Sequence, residues 1–423
     1  MWKCLITELP SGLCVASRTM PDVQSVSVGI WTNIGSRHEK KNLNGTAHFL
    51  EHLLFKGTKK RSAKTISSQI EGRGGYLNAL TSEEYTCYYA RARASQLPLL
   101  VEVLGDIYLN AALEPAQIEL ERGVIREEIL MYNEQPATVA LEHLNRSLWP
   151  GDPLGRPITG TLQSIQNIQR QHLLDFRNKM YGPQNTWLIA AGNIDHRQLV
   201  ASALSTLGHW RGTPCPATLR PAPLRDTRNK ALASNHDQVQ IAIGFRGFHR
   251  AHPDRFALRL LNVILGENMS SRLFQSLREE RGWAYSVGSH IQLFCNTGSL
   301  IIQSGVDAAK WQPALDLILR QCGRLATNAI STKELARARE YAIGNTWLAL
   351  ESSSDVMFWM GECLTAFGKI LDPATVEQQL AAVTVNDILR VAAKIFSPQN
   401  RAVVVSGPGI TNHHLNERLS LHN

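Results

Sequence analysis

The sequence lacks any apolar run that approaches the ~20 residues needed for a membrane-spanning helix. Its first eight residues contain neither the apolar core of a secretory signal nor an Arg- and Ser-rich transit helix. They predict a strand that runs into a turn at Pro10-Ser11-Gly12. These absences favour a cytoplasmic protein that has no membrane partner.

Cysteine is scarce and scattered. The seven cysteines, an odd number, lie at positions 4, 14, 87, 215, 295, 322 and 363, and the sequence has no C-x-x-C pair. This pattern argues against a disulfide framework and against a Cys-rich metal site. We expect reduced thiols, mostly in core positions.

Basic residues are in excess, with a net charge of +8. Half of that excess lies in one Pro-rich segment, because residues 211–230 contain five basic residues and one acidic residue. The sequence has no basic stripe interleaved with aromatics and no nucleic-acid motif. The charge therefore indicates a solvated linker, and we expect no nucleic-acid partner.

The chain contains an internal repeat at an offset of 215 residues. Residues 171–185 read QHLLDFRNKMYGPQN, and residues 386–400 read NDILRVAAKIFSPQN. A β-rich run that ends in glycine follows each copy. The repeat predicts two homologous domains of about 200 residues, a common domain size. We place them at 1–212 and 231–423, joined by a Pro-rich linker over 213–230.

Strands and helices alternate irregularly within each copy. Alternating apolar residues predict strands over 24–31 and 86–93 in the first copy, and over 238–244 and 299–306 in the second. Helices are predicted near 44–56, 63–72, 95–110, 115–134 and 171–181. We therefore predict the α+β class, with two homologous α/β-layered domains. Each would have a mixed, largely antiparallel sheet packed with helices.

The segment His48-Phe49-Leu50-Glu51-His52 has the spacing of an inverted zinc-peptidase motif. Residues four apart share one face of a helix, so two imidazoles could bind one Zn²⁺ at ~2.0–2.1 Å. Glu51 points to the same face, where a carboxylate can act as general base toward water. The second copy has no histidine and no acid near 258–265. We therefore expect metal chemistry in the first domain alone.

The helix predicted over 115–134 offers a third ligand. Its apolar stripe consists of Ile118, Ile125 and Ile129. Glu121 and Glu128, seven residues apart, fall on this stripe. A solvated Glu/Arg helix is the alternative interpretation, but buried carboxylates need a partner. The corresponding positions in the second copy are Ala336 and Ile343, which is the pattern expected if the acids and the histidines form one site.

Five stretches of the chain resemble a known family in the family's own order. They are residues 45–52 with 55–58; 74–79; 121–128; 153–156; and 271–274 with 277–278 and 284–287. The chain resembles, over nearly its whole length, the pitrilysin and insulin-degrading-enzyme family of zinc peptidases. It is most similar to the short branch that includes mitochondrial processing peptidase and its bacterial homologues.

The resemblance implies a role for each residue of the predicted metal site. His48, His52 and Glu128 match the family's zinc ligands, which implies one Zn²⁺ per chain. Glu51 matches the general base. Glu121 matches an acid that steadies a ligand, a form of support common around metal sites.

The resemblance also implies substrate-binding residues. Asn78 and Ala79 match an edge strand that holds the substrate backbone by β-augmentation. Arg278 and Tyr285 match a pair from the metal-free half that reaches the substrate near the scissile carbonyl. Trp283, where the family usually has a smaller aliphatic residue, is a departure that either narrows the pocket or packs in the core.

The function implied is that of a zinc-dependent endopeptidase for short or unfolded peptides, acting in a chamber formed by a dimer. This chain has both the metal motif and the Arg–Tyr pair, so a homodimer is expected; a heterodimer with a homologous subunit is the alternative. Two other functions are left open. One is a dedicated processing peptidase for one precursor peptide, working with a partner chain. The other is a non-catalytic structural subunit, whose usual mark in the family is a decayed metal motif.

Overall fold

The computed structural model describes residues 2–212, 219 and 228–422 of the chain. Of the linker predicted over 213–230, all but residue 219 and residues 228–230 lie outside the described residues. The described part of the chain contains no helix that is both long and apolar enough to span a bilayer.

The elements of the first half include six strands and eight α-helices. The strands are β1 (Leu5–Glu8), β2 (Cys14–Thr19), β3 (Ser25–Thr32), β4 (Tyr76–Thr81), β5 (Thr86–Arg93) and β6 (Thr186–Gly192). The helices are α1 (Thr46–Leu54), α2 (Ala63–Glu71), α3 (Leu97–Asn110), α4 (Pro115–Asn133), α5 (Pro136–Leu148), α6 (Leu162–Asn167), α7 (Arg170–Met180) and α8 (His196–Leu207).

The described elements of the second half repeat this order. The strands are β7 (Lys230–Ala233), β8 (Gln238–Gly247), β9 (Ala284–Leu293), β10 (Gly298–Asp307) and β11 (Arg401–Gly407). The α-helices are α9 (Arg255–Asn262), α10 (Trp311–Thr327), α11 (Thr332–Leu348), α12 (Ser353–Phe367), α13 (Pro373–Ala382), α14 (Val385–Ile395) and α15 (Asn412–Ser420). Two π-helical segments, Val263–Glu267 and Phe274–Glu279, lie between α9 and β9.

The chain forms two compact units with matching sheets. The first unit comprises Met1–Ile129, Pro157–Thr218 and Trp347–Pro373. Its sheet has the strand order β1-β2-β6-β3-β5-β4, in which only the β2–β6 pair is parallel. Strand β4 forms one edge, and the hydrophobic core lies between the sheet and helices that include α1 and α3.

The second unit comprises Leu130–Arg156, Leu219–Thr346 and Ala374–Asn423. Its sheet has the order β7-β11-β8-β10-β9, with a single parallel pair, β7–β11. This is the order of the first sheet without β1. The predicted α+β class and the duplication, with mixed and largely antiparallel sheets, are confirmed.

The compact units are not two uninterrupted halves of the chain. Helix α5, from the first half, packs against β8 and β11 of the second unit. Helix α12, at the corresponding position of the second half, packs against β3 and β6 of the first unit. The predicted ranges 1–212 and 231–423 instead place α5 in the first domain and α12 in the second. Apolar periodicity shows that a helix has a buried face, but it does not show which sheet covers that face.

Candidate metal centre

Helix α1 carries the HxxEH motif, and a buried carboxylate caps its first turn. The helix begins after Gly45, whose φ of 97° lies in the left-handed region. Glu39, which is 6% exposed, accepts hydrogen bonds from the backbone N–H groups of Gly45 and Ala47, each at 2.7 Å. It also accepts one from the Asn44 amide at 2.9 Å. A negative charge here satisfies N–H groups that have no partner within the helix. No sequence pattern predicts this role of Glu39, because it lies six residues before Gly45.

The structure brings His48, His52 and Glu128 together. Their possible ligand atoms all lie within 4.8 Å of one another. The Oε2 atom of Glu128 is 3.6 Å from Nε2 of His48 and 3.7 Å from Nε2 of His52. These distances are too long for hydrogen bonds. They are close to the roughly 3.4 Å that separates two ligands of a tetrahedral zinc ion.

The protonation state of His48 also suits a metal ligand. The residue is buried, and this burial, together with the nearby His52, lowers the pKa of His48 to about 4. Its imidazole is therefore neutral at pH 7, with a lone pair available on one nitrogen. Among the described residues, the buried Nδ1 atom of His48 has no hydrogen-bond partner. Two imidazoles and one carboxylate form the donor set of a catalytic zinc site with an open position.

Glu121 supports His52 from the side opposite the cluster. Its Oε2 atom lies 3.2 Å from Nδ1 of His52, and its Oε1 atom accepts a hydrogen bond from Nζ of Lys56 at 2.8 Å. Glu121 is buried, whereas Glu127 on the same helix is exposed. A carboxylate at Nδ1 leaves Nε2 of His52 free to face the metal position. The ion pair between Lys56 and Glu121 was not predicted from the sequence.

Glu51 lies beside the cluster and does not belong to it. Its Oε2 atom accepts a hydrogen bond of 2.5 Å from Oγ1 of Thr81, the last residue of β4. Burial raises the pKa of Glu51, and the Thr81 hydrogen bond partly offsets this rise. The contact joins α1 to the edge strand β4. Thr81 was not predicted as a site residue, because no local sequence pattern indicates that it contacts α1.

Asn78 and Ala79 lie in β4, at the edge of the first unit's sheet. They pair on one side with Tyr89 and Tyr88 of β5. The Asn78 side chain accepts a hydrogen bond from the Ala79 backbone N–H at 2.8 Å. Other backbone groups of such an edge can pair with an added strand.

Arg278 and Tyr285 lie in the second unit, close to each other. Arg278 is part of the π-helical segment Phe274–Glu279, and its guanidinium stands 4.9 Å from the ring centroid of Phe274 and 5.5 Å from that of Tyr285. Tyr285 is 78% exposed. Trp283 is half-buried, and its backbone N–H donates to the Leu277 carbonyl at 2.9 Å. The approach of Arg278 and Tyr285 to the metal cluster stays a prediction.

The fold and the cluster define a class of protein with a duplicated α/β unit and an HxxEH metal centre in the first copy. Residues 14–162 match the family model described as insulinase (peptidase family M16). Residues 167–341 match the model described as peptidase M16 inactive domain. The chain belongs to peptidase family M16, which confirms the resemblance found in its motifs.

Similar proteins from several bacteria share this family. An uncharacterized zinc protease of Streptomyces coelicolor is 34% identical over 409 residues, which is 95% of this chain and 89% of the relative. The uncharacterized zinc protease YmxG of Bacillus subtilis is 31% identical over 402 residues, 94% of this chain and 97% of the relative.

Solved structures show the same fold at low sequence identity. A protease from Helicobacter pylori superposes with a TM-score of 0.92 at 23% identity, covering 96% of this chain and 99% of that one. A peptidase M16 inactive domain from Pseudomonas fluorescens superposes with a TM-score of 0.90 at 18% identity, covering 97% and 98%.

Proposed function

We propose that this protein is a zinc-dependent endopeptidase that hydrolyses peptide bonds in short or unfolded peptides. The observation that carries the proposal is the convergence of His48, His52 and Glu128, with Glu51 held beside them by Thr81 at the end of an edge strand. Membership of peptidase family M16 and the zinc protease names of its relatives support it.

The chain's own residues have separate roles in this proposal. His48, His52 and Glu128 would hold one Zn²⁺ ion, and Glu121 fixes the orientation of His52. A bound Zn²⁺ ion would polarise the scissile carbonyl and make water more acidic. Glu51 takes a proton from the attacking water and later gives a proton to the leaving amine.

Strand β4 is the proposed binding edge for the substrate. An extended peptide that adds to a sheet edge gains main-chain hydrogen bonds that do not depend on its sequence. A folded protein cannot offer such a strand without unfolding locally. The edge therefore favours short or unfolded chains, with Asn78 and Ala79 in contact with the substrate backbone.

We further propose a two-fold symmetric homodimer that encloses the reaction chamber. Arg278 and Tyr285 of one subunit would stabilise the developing oxyanion at the metal centre of the other, as preorganised hydrogen-bond donors. The presence of the metal motif and the Arg–Tyr pair in one chain supports identical subunits. A heterodimer would need only one of the two sets in each chain.

The test combines zinc content with turnover. Glu51→Gln should retain one zinc per chain, because Glu51 is not in the ligand cluster, yet lose most peptide cleavage. Glu128→Ala should lose the metal itself, and Glu127→Ala, which removes an exposed acid from the same helix, is the matched control. Near wild-type cleavage by Glu51→Gln would refute its role as base. A wild-type protein that binds no zinc and cleaves no peptide would instead favour a structural subunit.

A further inference from the structure

One end of the edge strand β4 contacts Glu51, and the other end lines a cavity that has no role in the proposed chemistry. Thr81, at one end of β4, contacts Glu51. Tyr76, at the other end, lines a cavity of about 590 Å³ together with Gly74 and the Ser352–Ser353 segment before and at the start of α12. Every lining residue belongs to the first unit. Tyr76 therefore belongs both to the proposed peptide-binding strand and to the lining of the cavity.

The charged groups of this cavity favour an anion. Two arginines, Arg91 and Arg93, line it, against one carboxylate, Glu351. Within the described ranges, the hydrogen bond of the Arg91 guanidinium is to the Ser25 hydroxyl, at 3.3 Å, and Arg93 is exposed at the end of β5. Neither arginine forms an ion pair with any carboxylate of the described residues. Positive groups in a cleft raise the local concentration of anions.

The length of β4 determines the distance from the cavity to the reacting bond. Tyr76 and Thr81 are five residues apart, which is roughly 17 Å along a strand. Antiparallel pairing is the more stable arrangement of two strands. A peptide antiparallel to β4 runs from Thr81 toward Tyr76 in its own N-to-C direction. The residues that reach the cavity therefore follow the bond beside Glu51.

We propose that this cavity is a subsite for a carboxylate about five residues C-terminal to the cleaved bond. The carboxylate is either an acidic side chain or the free C-terminus of the peptide, since both offer the same charge to Arg91 and Arg93. This inference rests on the proposed function, because it needs a peptide paired with β4.

The first experiment measures cleavage by the zinc-loaded full chain. Fluorogenic peptides differ only in Glu or Gln at the fourth, fifth or sixth residue after the cleaved bond, which mass spectrometry locates. A second set of peptides ends at these positions with a carboxylate or a carboxamide. Comparing the two sets shows whether the cavity binds an acidic side chain or the free C-terminus. We expect kcat/KM to be about three- to tenfold higher for the charged member of a pair.

Variants of the cavity supply the control. In the double substitution Arg91→Gln/Arg93→Gln, the ratio of kcat/KM for the charged peptide to kcat/KM for the neutral peptide should be close to one. Arg93→Glu alone should shift preference toward lysine at the same position, because the cavity would then contain one arginine and two glutamates. Arg197→Gln removes an exposed arginine from α8, which packs against β2 near the other edge of the sheet, and should keep the wild-type ratio.

A binding measurement separates the subsite from the proposed function. Fluorescence anisotropy with zinc-loaded Glu51→Gln records peptide affinity without turnover, and the carboxylate should again strengthen binding about three- to tenfold. Carboxylate-dependent binding with no cleavage by the wild-type chain would support the subsite and refute the peptidase. Equal cleavage and binding of charged and neutral peptides, or dependence on a carboxylate before the cleaved bond, would overturn the subsite.

Discussion

Substitution of Glu39 tests whether this carboxylate holds the metal-binding helix in place. Glu39→Ala removes a buried acceptor from two backbone N–H groups at the start of α1 and from the Asn44 amide. Hydrogen bonds to a charged group contribute about 1.5–3 kcal/mol each, and water that enters the space recovers part of the loss. We expect a net destabilisation of about 3 kcal/mol.

The assay follows the helix itself. Hydrogen exchange of the amides in α1, read by mass spectrometry of the peptide that covers 46–54, reports local opening. A loss of about 3 kcal/mol corresponds to exchange roughly 100-fold faster. Because α1 carries His48 and His52, zinc affinity should fall as well, which competition with a fluorescent chelator measures.

The control is Glu71→Ala, which makes the same substitution at an exposed carboxylate of α2. It should change exchange in α1 by less than about twofold, since isolated surface substitutions lie within about 0.5 kcal/mol. Glu39→Gln should lie between Glu39→Ala and the wild type, because an amide oxygen still accepts a hydrogen bond. Wild-type exchange and zinc affinity in Glu39→Ala would refute the argument.

Three further predictions concern metal affinity, acid stability and assembly. Glu121→Ala should weaken zinc binding about 10- to 100-fold, because His52 loses its partner, whereas Glu119→Ala at an exposed position of the same helix should not; equal affinities in chelator competition would contradict this. Burial lowers the pKa of His38 to about 4, from 6.5 when unfolded, so the stability contributed by its neutral form is complete above pH 6.5 and is lost as the pH falls toward 4. Urea unfolding should therefore show the wild type losing about 2–3 kcal/mol more than His38→Gln between pH 7.5 and 4.5, and parallel losses would refute this. Mixing inactive Glu51→Gln with inactive Tyr285→Phe should restore some cleavage through one composite site; no recovery despite subunit exchange, followed by native mass spectrometry, would exclude the homodimer model.

The local sequence pattern predicted the structure correctly where all the residues that form the pattern lie in one segment, as in α4. Helix α4 was predicted over 115–134 and forms over Pro115–Asn133, because Pro115 suits a first turn and Pro136 ends the pattern. The alignment of Glu121 and Glu128 with the buried stripe indicated that they need partners, and the structure places them at His52 and at both histidines respectively.

Contacts between distant segments were less predictable. Thr81 and Glu51 are 30 residues apart, and Lys56 reaches Glu121 across 65 positions. Neither pair has a spacing signal, because a hydrogen bond between two elements depends on how they pack. The cap formed by Glu39 was missed for a related reason, since a loop brings its carboxylate back to the helix start.

The sequence by itself determined the class of protein: the repeat at offset 215, the α+β elements, and a first copy that alone has the metal motif. The elements and the motif follow from local periodicity and residue identity, and the repeat follows from comparing two segments of the same chain. Only the tertiary structure decided which sheet each of α5 and α12 covers, and that Glu51 meets the end of β4. The physical reason is that an apolar face can pack on any complementary face, and the choice depends on the whole set of contacts in the folded chain.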